Sequence, residues 1–327
     1  MRRRALLGAV LTGVAACRRN TASSVRLVTY QGSEAPYVAR ALGLFEKNGL
    51  DVSIDELPGA SRVMESLLAR SADVVLGTYD QALQVAARGR KVRAFLLLSE
   101  CHCLGLVASP KSPRKPRALA DLRGARVGVS SPGGPMQNFL TYLLRREGID
   151  PDSVGVASVG IGPPALVALE YGKVDAAVVF YSTLLELRKR EGEVAVLAET
   201  FTRDGARRVF GQGVFPSTCL LAETEWLERN GPAARSLVRA FQAAVRWLKS
   251  ADLGKVRAML PSTGRSQDET IDRATLELLL PMLSENGRMT REAAELAFGL
   301  LAGARPEMRE ARIRLEDTFT NEFLAAP

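Results

Sequence analysis

The chain has 327 residues, 46% of them hydrophobic, with a formal charge of +8. Lys and Arg are scattered and aromatic residues make up 6%, so the interleaved basic–aromatic surface that nucleic acid requires is absent. Only one stretch resembles a membrane-directed segment, and it lies at the N-terminus.

Arg2, Arg3 and Arg4 precede an apolar run from Ala5 to Ala16. A bilayer-spanning helix needs roughly 20 apolar residues, so the run is too short to remain as an anchor. A basic start, a short apolar core and small residues before a cut site describe a secretory signal over residues 1–16. Val14-Ala15-Ala16-Cys17 resembles the bacterial lipobox, which makes Cys17 the expected site of lipidation. An incidental cysteine after an ordinary signal is the other reading. Arg3-Arg4-Ala5-Leu6-Leu7 loosely resembles a twin-arginine signal, but a plain basic n-region fits better. Removing the signal lowers the charge to +5. About 310 residues then remain, which suit two domains better than one.

From Val25 onward, short apolar runs alternate with amphipathic stretches. Strands are predicted at 25–29, 52–54, 74–76, 92–98 and 104–108, with helices at 36–48, 61–70 and 79–88 between them. Ser61 reads as the N-cap of the second helix, and Gly49 as the left-handed residue that ends the first. After a Pro- and Lys-rich loop at 109–116 the pattern restarts, with strands at 126–129, 154–159 and 174–180 and helices near 136–146 and 165–171. Residues 214–222 read as one further strand. Helices follow at 223–229, 232–250 and 252–260, with a helical tail over 267–324. Trp226, Phe241 and Trp247 read there as core.

The restart is also a repeat. Leu44 to Asp51 echoes Leu143 to Asp150 at an offset of 99 residues, and Leu67 to Leu76 echoes Leu169 to Val178 at 102. Asp73 and Asp175 open their strands at matching positions. Two lobes of similar βαβ construction, each with a mostly parallel sheet, follow from this pattern. The expected boundaries are 25–108 for the first part of lobe one, 109–213 for lobe two, and 214–327 for the return to lobe one. The two crossings, at Leu104–Ala108 and Thr218–Ala222, would form a natural hinge.

Ligands of open α/β sheets sit beyond the carboxyl ends of the strands. In lobe one that rule selects Gln31, Ser33, Thr78, Tyr79 and Asp80, with Tyr37 close behind. In lobe two it selects Ser130, Ser131, Gly133, Gly134, Gly162, Phe180 and Tyr181. The glycine-rich run from Ser130 to Gln137 opens a helix, an arrangement that favours an anionic group, although a simple strand–turn–helix link has the same composition. The loops contain no Lys or Arg, but they do contain Glu34, Asp80 and Glu100. Tyr37, Tyr79, Phe180 and Tyr181 offer rings for stacking. Together these point to a heterocyclic or aromatic ligand bearing amine or hydroxyl groups.

Cys101, Cys103 and Cys219 leave an odd count after Cys17. Buried thiols, or a bond from Cys101 or Cys103 to Cys219, are both open. Cys101-His102-Cys103 is too tight to wrap a zinc ion alone, and His102 is the only histidine, so no metal or cofactor is expected. No Gly-x-Ser-x-Gly elbow appears.

Ala41-Leu42-Gly43-Leu44-Phe45-Glu46-Lys47-Asn48-Gly49-Leu50-Asp51-Val52, Ala72-Asp73-Val74-Val75, Leu119 to Val129, and Gly172-Lys173-Val174-Asp175-Ala176 are similar to the periplasmic substrate-binding proteins of the sulfonate/nitrate/taurine group, which includes binders of pyrimidine thiamine precursors. The likeness runs from about Val25 to Ser250. It implies an α/β, two-lobed type II periplasmic-binding fold with two hinge-crossing strands, closing on a small molecule that is handed to an ABC permease. Taken with the N-terminal signal and lipobox, the expectation is a non-enzymatic, exported, lipid-anchored monomer. Two other readings remain: a ligand-sensing subunit for a membrane receptor, and an enzyme of the thiamine-pyrimidine-precursor synthase kind. Cys101-His102-Cys103 does not match the cysteine-rich iron-binding motif of that enzyme.

Overall fold

The structure, a computed structural model, describes residues 22–30, 33–101, 103–211 and 215–325. The predicted signal, Cys17, Gln31, His102 and Val214 lie outside the described residues. Among those described, no helix is long and apolar enough to cross a membrane.

The first half runs β1 (Ser23–Tyr30), α1 (Ala35–Ala41), α2 (Leu44–Lys47), β2 (Leu50–Leu57), α3 (Ala60–Leu68), β3 (Val74–Thr78), α4 (Tyr79–Ala87) and β4 (Val92–Leu97). The second runs β5 (Leu104–Ala108), β6 (Arg126–Val129), α5 (Pro135–Arg146), β7 (Gly155–Ser158), α6 (Pro163–Glu170), β8 (Ala176–Phe180), α7 (Tyr181–Glu191), β9 (Val196–Glu199) and α8 (Arg203–Phe210). The chain then returns through β10 (Thr218–Glu223), α9 (Thr224–Arg229), α10 (Gly231–Ser250), α11 (Leu253–Met259), α12 (Glu269–Leu279), α13 (Arg291–Ala304) and α14 (Pro306–Glu310).

Two five-stranded sheets result, in the orders β2-β1-β3-β10-β4 and β7-β6-β8-β5-β9. In each, the three strands of the βαβ units are parallel and one strand from a crossing inserts antiparallel beside the third. The sheets therefore repeat one another strand for strand. Asp73 and Asp175 do the same work in both. Asp73 accepts from the Arg26 backbone N–H at 2.9 Å, and Asp175 from that of Arg126 at 2.8 Å. Each carboxylate thus pairs an N–H of the middle parallel strand at the level just before the third strand begins to pair with it.

The chain enters the second sheet on β5 and re-enters the first on β10. The two connecting segments pair with each other: Phe215 N–H donates to the Glu100 carbonyl at 2.9 Å, and Ser217 N–H to that of Ser99 at 3.0 Å. The ring of Phe201 lies directly over Gly105 of β5, where any Cβ would collide with it.

Apolar packing falls into three parts. One face of the first sheet packs under α1 and α10, where Phe45 meets Phe241 edge-on at 5.8 Å. One face of the second sheet packs under α6 and α7. Between them a single continuous cluster joins the remaining faces through α4, α5 and α13.

Several expectations need correction. The predicted helix over 36–48 is two helices, because Gly43 at φ 63° turns the chain between them. Gly59, rather than Ser61, is the N-cap of α3, so Ser61 lies within the helix. The tail over 267–324 is broken into α12, α13 and α14. The elements α7, β9 and α8 were not foreseen. Cys101 is bonded to Cys103, while Cys219 is free and fully buried, so no bond reaches Cys219. Burial raises the Cys219 thiol far above its usual range, which leaves it inert at neutral pH.

Candidate functional site

A cavity of about 1000 Å³ opens where the strand ends of the two sheets face each other. β1 delivers Tyr30, Ser33 and Glu34, and β3 delivers Thr78. β6 delivers Ser130 and Ser131, the link after β7 delivers Ile161 and Gly162, and β8 delivers Phe180 and Tyr181. The crossing segments add Ser99, Cys101, Cys103, Ser217 and Thr218.

Seven of the expected residues come together on this wall: Ser33, Thr78, Ser130, Ser131, Gly162, Phe180 and Tyr181. Apart from Gln31, which lies outside the described residues, the others are placed elsewhere. Tyr37 is buried with its hydroxyl donating to Glu56 at 2.8 Å. Tyr79 is fully buried, its hydroxyl 2.6 Å from that of Thr318. Asp80 is buried and accepts from Asn138 Nδ2 at 3.0 Å. Gly133, which is exposed, and Gly134, which is buried, are not part of the cavity lining. Gly133 N–H is held by Gln137 Oε1 at 2.6 Å and Gly134 N–H by the Ser131 carbonyl at 3.3 Å. Those two donors are therefore engaged within the loop and do not face an anion.

The electrostatics of the first-sheet side are distinctive. Glu34 is half-buried, and no other residue among those described bonds its carboxyl. Burial pushes this carboxyl up to about 7, since the charged form is poorly solvated there. Beside it in sequence, Ser33 is 7% exposed, and its hydroxyl has no hydrogen-bond partner among the described residues. Tyr30 shares this corner, its hydroxyl 3.0 Å from that of Thr218. Burial raises its phenol as well, against the opposing effects of the Thr218 bond and of the Ser33 hydroxyl, which lies near it without reaching hydrogen-bond geometry. On the other side, Phe180 and Tyr181 supply ring surface, with Tyr181 braced by Phe201 at 5.1 Å between centroids.

One stretch of wall, Ser262 to Asp272, is not a strand-end loop. It brings Arg265, whose guanidinium makes no ion pair or hydrogen bond among the described residues, into the cavity lining. It also meets α7: Lys189 pairs with Asp268, and Ser266 donates to Glu186 at 2.9 Å. Lys189 and Arg190 line the cavity too, but Arg190 is paired with Glu170 at 2.9 Å. The strand-end loops contain no basic residue, as the sequence showed; the cations come from α7 and from this stretch. No local sequence signal marks it, because only the packing of α12 against α7 carries it to the cavity.

Ser266 donates to Glu186 in this wall, and among the described residues no third side chain orients that carboxylate as a catalytic relay would. The arrangement offers an acid, hydroxyls, two rings and one unpaired guanidinium around a partly apolar space, which is equipment for holding a molecule.

A model of the family described as NMT1/THI5 like matches residues 33–251. A Bacillus subtilis (strain 168) protein described as a binding protein, YtlA, is 25% identical over 249 residues, covering 74% of this chain and 71% of that one. A solved protein of Bordetella bronchiseptica RB50 superposes with a TM-score of 0.85 at 26% identity, covering 92% of this chain and 95% of that one. The alkanesulfonate-binding protein SsuA from Xanthomonas axonopodis pv. citri, bound to MOPS, gives a TM-score of 0.72 at 16% identity, covering 91% and 98%. At that identity the likeness speaks for the fold alone, which is that of a periplasmic binding protein: two mixed α/β sheets flanking a cavity.

Proposed function

The chain belongs to the NMT1/THI5-like family, and on that premise we propose that it is an exported solute-binding protein of an ABC importer whose cargo is a small heteroaromatic molecule bearing an amine or another N–H donor. One observation carries the choice of cargo. A half-buried carboxyl raised to about 7 and an unpartnered buried hydroxyl stand side by side in a cavity that also presents two aromatic rings. An N–H donor or a protonated ring nitrogen bonded to Glu34 would supply the missing partner and favour the ionised carboxylate. Phe180 and Tyr181 would then cover a flat ring.

Arg265 favours a second reading, in which the cargo carries an anionic group such as a sulfonate. Glu34 opposes a bare small anion in the same space, so the anion would have to be one end of a larger molecule.

Binding by closure needs reversible affinity and no chemical step. The lobes, as proposed here, are 25–108 with 214–327, and 109–213; their closure would bring Glu34 and Tyr181 onto opposite sides of one ligand. Delivery to a permease, export by the signal over residues 1–16, and anchoring through a lipid on Cys17 complete the proposal and rest on the sequence. Metabolic labelling with a fatty-acid analogue would mark the wild type and leave Cys17→Ser unlabelled.

Thermal shift against 4-aminopyrimidine, cytosine, taurine, ethanesulfonate and nitrate tests the cargo class. A ligand at about 100 times its dissociation constant adds about 2.7 kcal/mol of stability. A shift with the amino-heteroaromatics that is lost in Glu34→Gln supports the first reading. A shift with ethanesulfonate that is lost in Arg265→Gln supports the second.

A further inference from the structure

Behind the cavity wall lies a polar network that ligand contact does not explain. α13 is flanked by two attachments to the first sheet: Leu97 N–H donates to the Gly287 carbonyl at 2.8 Å, and Thr320 N–H to that of Ala94 at 2.8 Å. Yet the helix itself lies across α5 of the second sheet and touches α4 of the first. Arg305, its C-cap, donates Nε to Asn138 Oδ1 at 2.8 Å and Nη2 to the Gly133 carbonyl at 2.8 Å. Asn138, on α5 and 2% exposed, donates Nδ2 to Asp80 on α4, also 2% exposed, at 3.0 Å.

The bonds thus run from the C-terminal strap to the second sheet and on to the first. One buried amide is satisfied at both ends, by a guanidinium on its oxygen and a carboxylate on its nitrogen. The loop that Arg305 grips at Gly133 is the same loop that turns Ser130 and Ser131 into the cavity.

We infer that Arg305 is a positioning residue: through Gly133 and Asn138 it fixes the Ser130–Gly134 loop against α4 of the first sheet and sets that loop's geometry before any ligand arrives. The inference rests on the binding reading only in calling the loop ligand-facing. The planar fork of arginine delivers two bonds in fixed directions, which a lysine ammonium cannot reproduce. The remaining contact of Arg305, with Glu307 at 3.4 Å, is exposed and plays no part.

Hydrogen exchange on the full chain without ligand tests this, so its result is independent of whether any cargo in the panel binds. In Arg305→Gln and in Arg305→Lys, the hydrogen-bonded amides of Gly133, Gly134 and Asn138 are expected to exchange about tenfold faster, the effect of losing charge-assisted hydrogen bonds at a local opening. Exchange at Leu143 and Leu144, farther along α5, stays at the wild-type rate, and Glu307→Ala behaves as wild type throughout. The inference is overturned by wild-type exchange at those three amides in both variants, by recovery of slow exchange with lysine, or by faster exchange spread along all of α5. Failure of Arg305→Gln to fold would also overturn it, since a residue that only sets one loop is not required for the fold.

Discussion

The two halves of the molecule follow one path and put it to different use. Tyr79 and Tyr181 each begin the helix after the third parallel strand of their sheet. Tyr79 is sealed under the C-terminal strap, with its hydroxyl on Thr318 and its ring edge-on to Phe319 at 6.5 Å. Tyr181 is half-buried and faces the cavity. The next position diverges likewise: Asp80 is locked to Asn138, while Ser182 lines the cavity. The strap covers α4, whereas α7 meets the polar stretch from Ser262 to Asp272. A duplicated scaffold thus holds equivalent residues in equivalent places, and what packs on top of each copy decides which can meet a ligand.

The sharpest way to break that comparison is to truncate both tyrosines. Tyr79→Ala removes a fully buried ring and should cost about 3–5 kcal/mol in urea unfolding, as large aromatic truncations in cores do. Tyr181→Ala loses mainly its contact with Phe201 and should cost about 1 kcal/mol. Equal losses would mean that the two positions are not used differently.

The two aspartates should behave alike. Asp73→Ala and Asp175→Ala each leave a backbone N–H of the middle parallel strand without its partner and should each cost about 1–3 kcal/mol. Burial works to raise the Asp73 carboxyl, but its hydrogen bonds and charge contact with Arg26 outweigh burial and hold it below its ordinary value. Its contribution is therefore present above the ordinary carboxylate pKa and is lost as pH falls through the lower folded value. An acid unfolding curve that is unchanged in Asp73→Asn would contradict this.

Tyr79→Phe keeps the ring and loses one hydrogen bond, for about 1 kcal/mol. Glu34 has the opposite pH sign from Asp73. Its folded carboxyl binds a proton more tightly than the unfolded one, so unliganded stability declines as pH rises from the ordinary carboxylate range through about 7. Melting curves between pH 5 and 8 should show that decline in wild type and lose it in Glu34→Gln. Smallest of all, Ser33→Ala removes a buried hydroxyl without a partner and should leave the empty protein as stable or slightly more so, while weakening ligand capture.

The strands other than β9, the repeat and the strand-end loops were legible in the sequence because buried parallel strands are continuous apolar runs and their loops fall where those runs stop. The aspartate pair was visible as a matched position before its bonds to Arg26 and Arg126 were known. The fate of the loop residues was not legible. Nothing local distinguishes Tyr79 from Tyr181, since Thr318 lies 239 residues away in the chain. α7 was hidden by its charged second half, Leu187 being the last fully buried position before Arg188-Lys189-Arg190-Glu191. Arg265 and Arg305 carry no motif and reach their places through the packing of α12 and α13 alone.

The central claim is that the cavity between the strand ends reversibly holds a small organic molecule against Glu34. Equilibrium dialysis of the best-shifting probe, followed by mass spectrometry of what is released, tests it most directly. The account predicts one molecule bound per chain, released chemically unchanged, with affinity falling at least about tenfold in Glu34→Gln, as expected on losing a charge-assisted bond. A probe that is consumed, or one held equally well by wild type and Glu34→Gln, would contradict it.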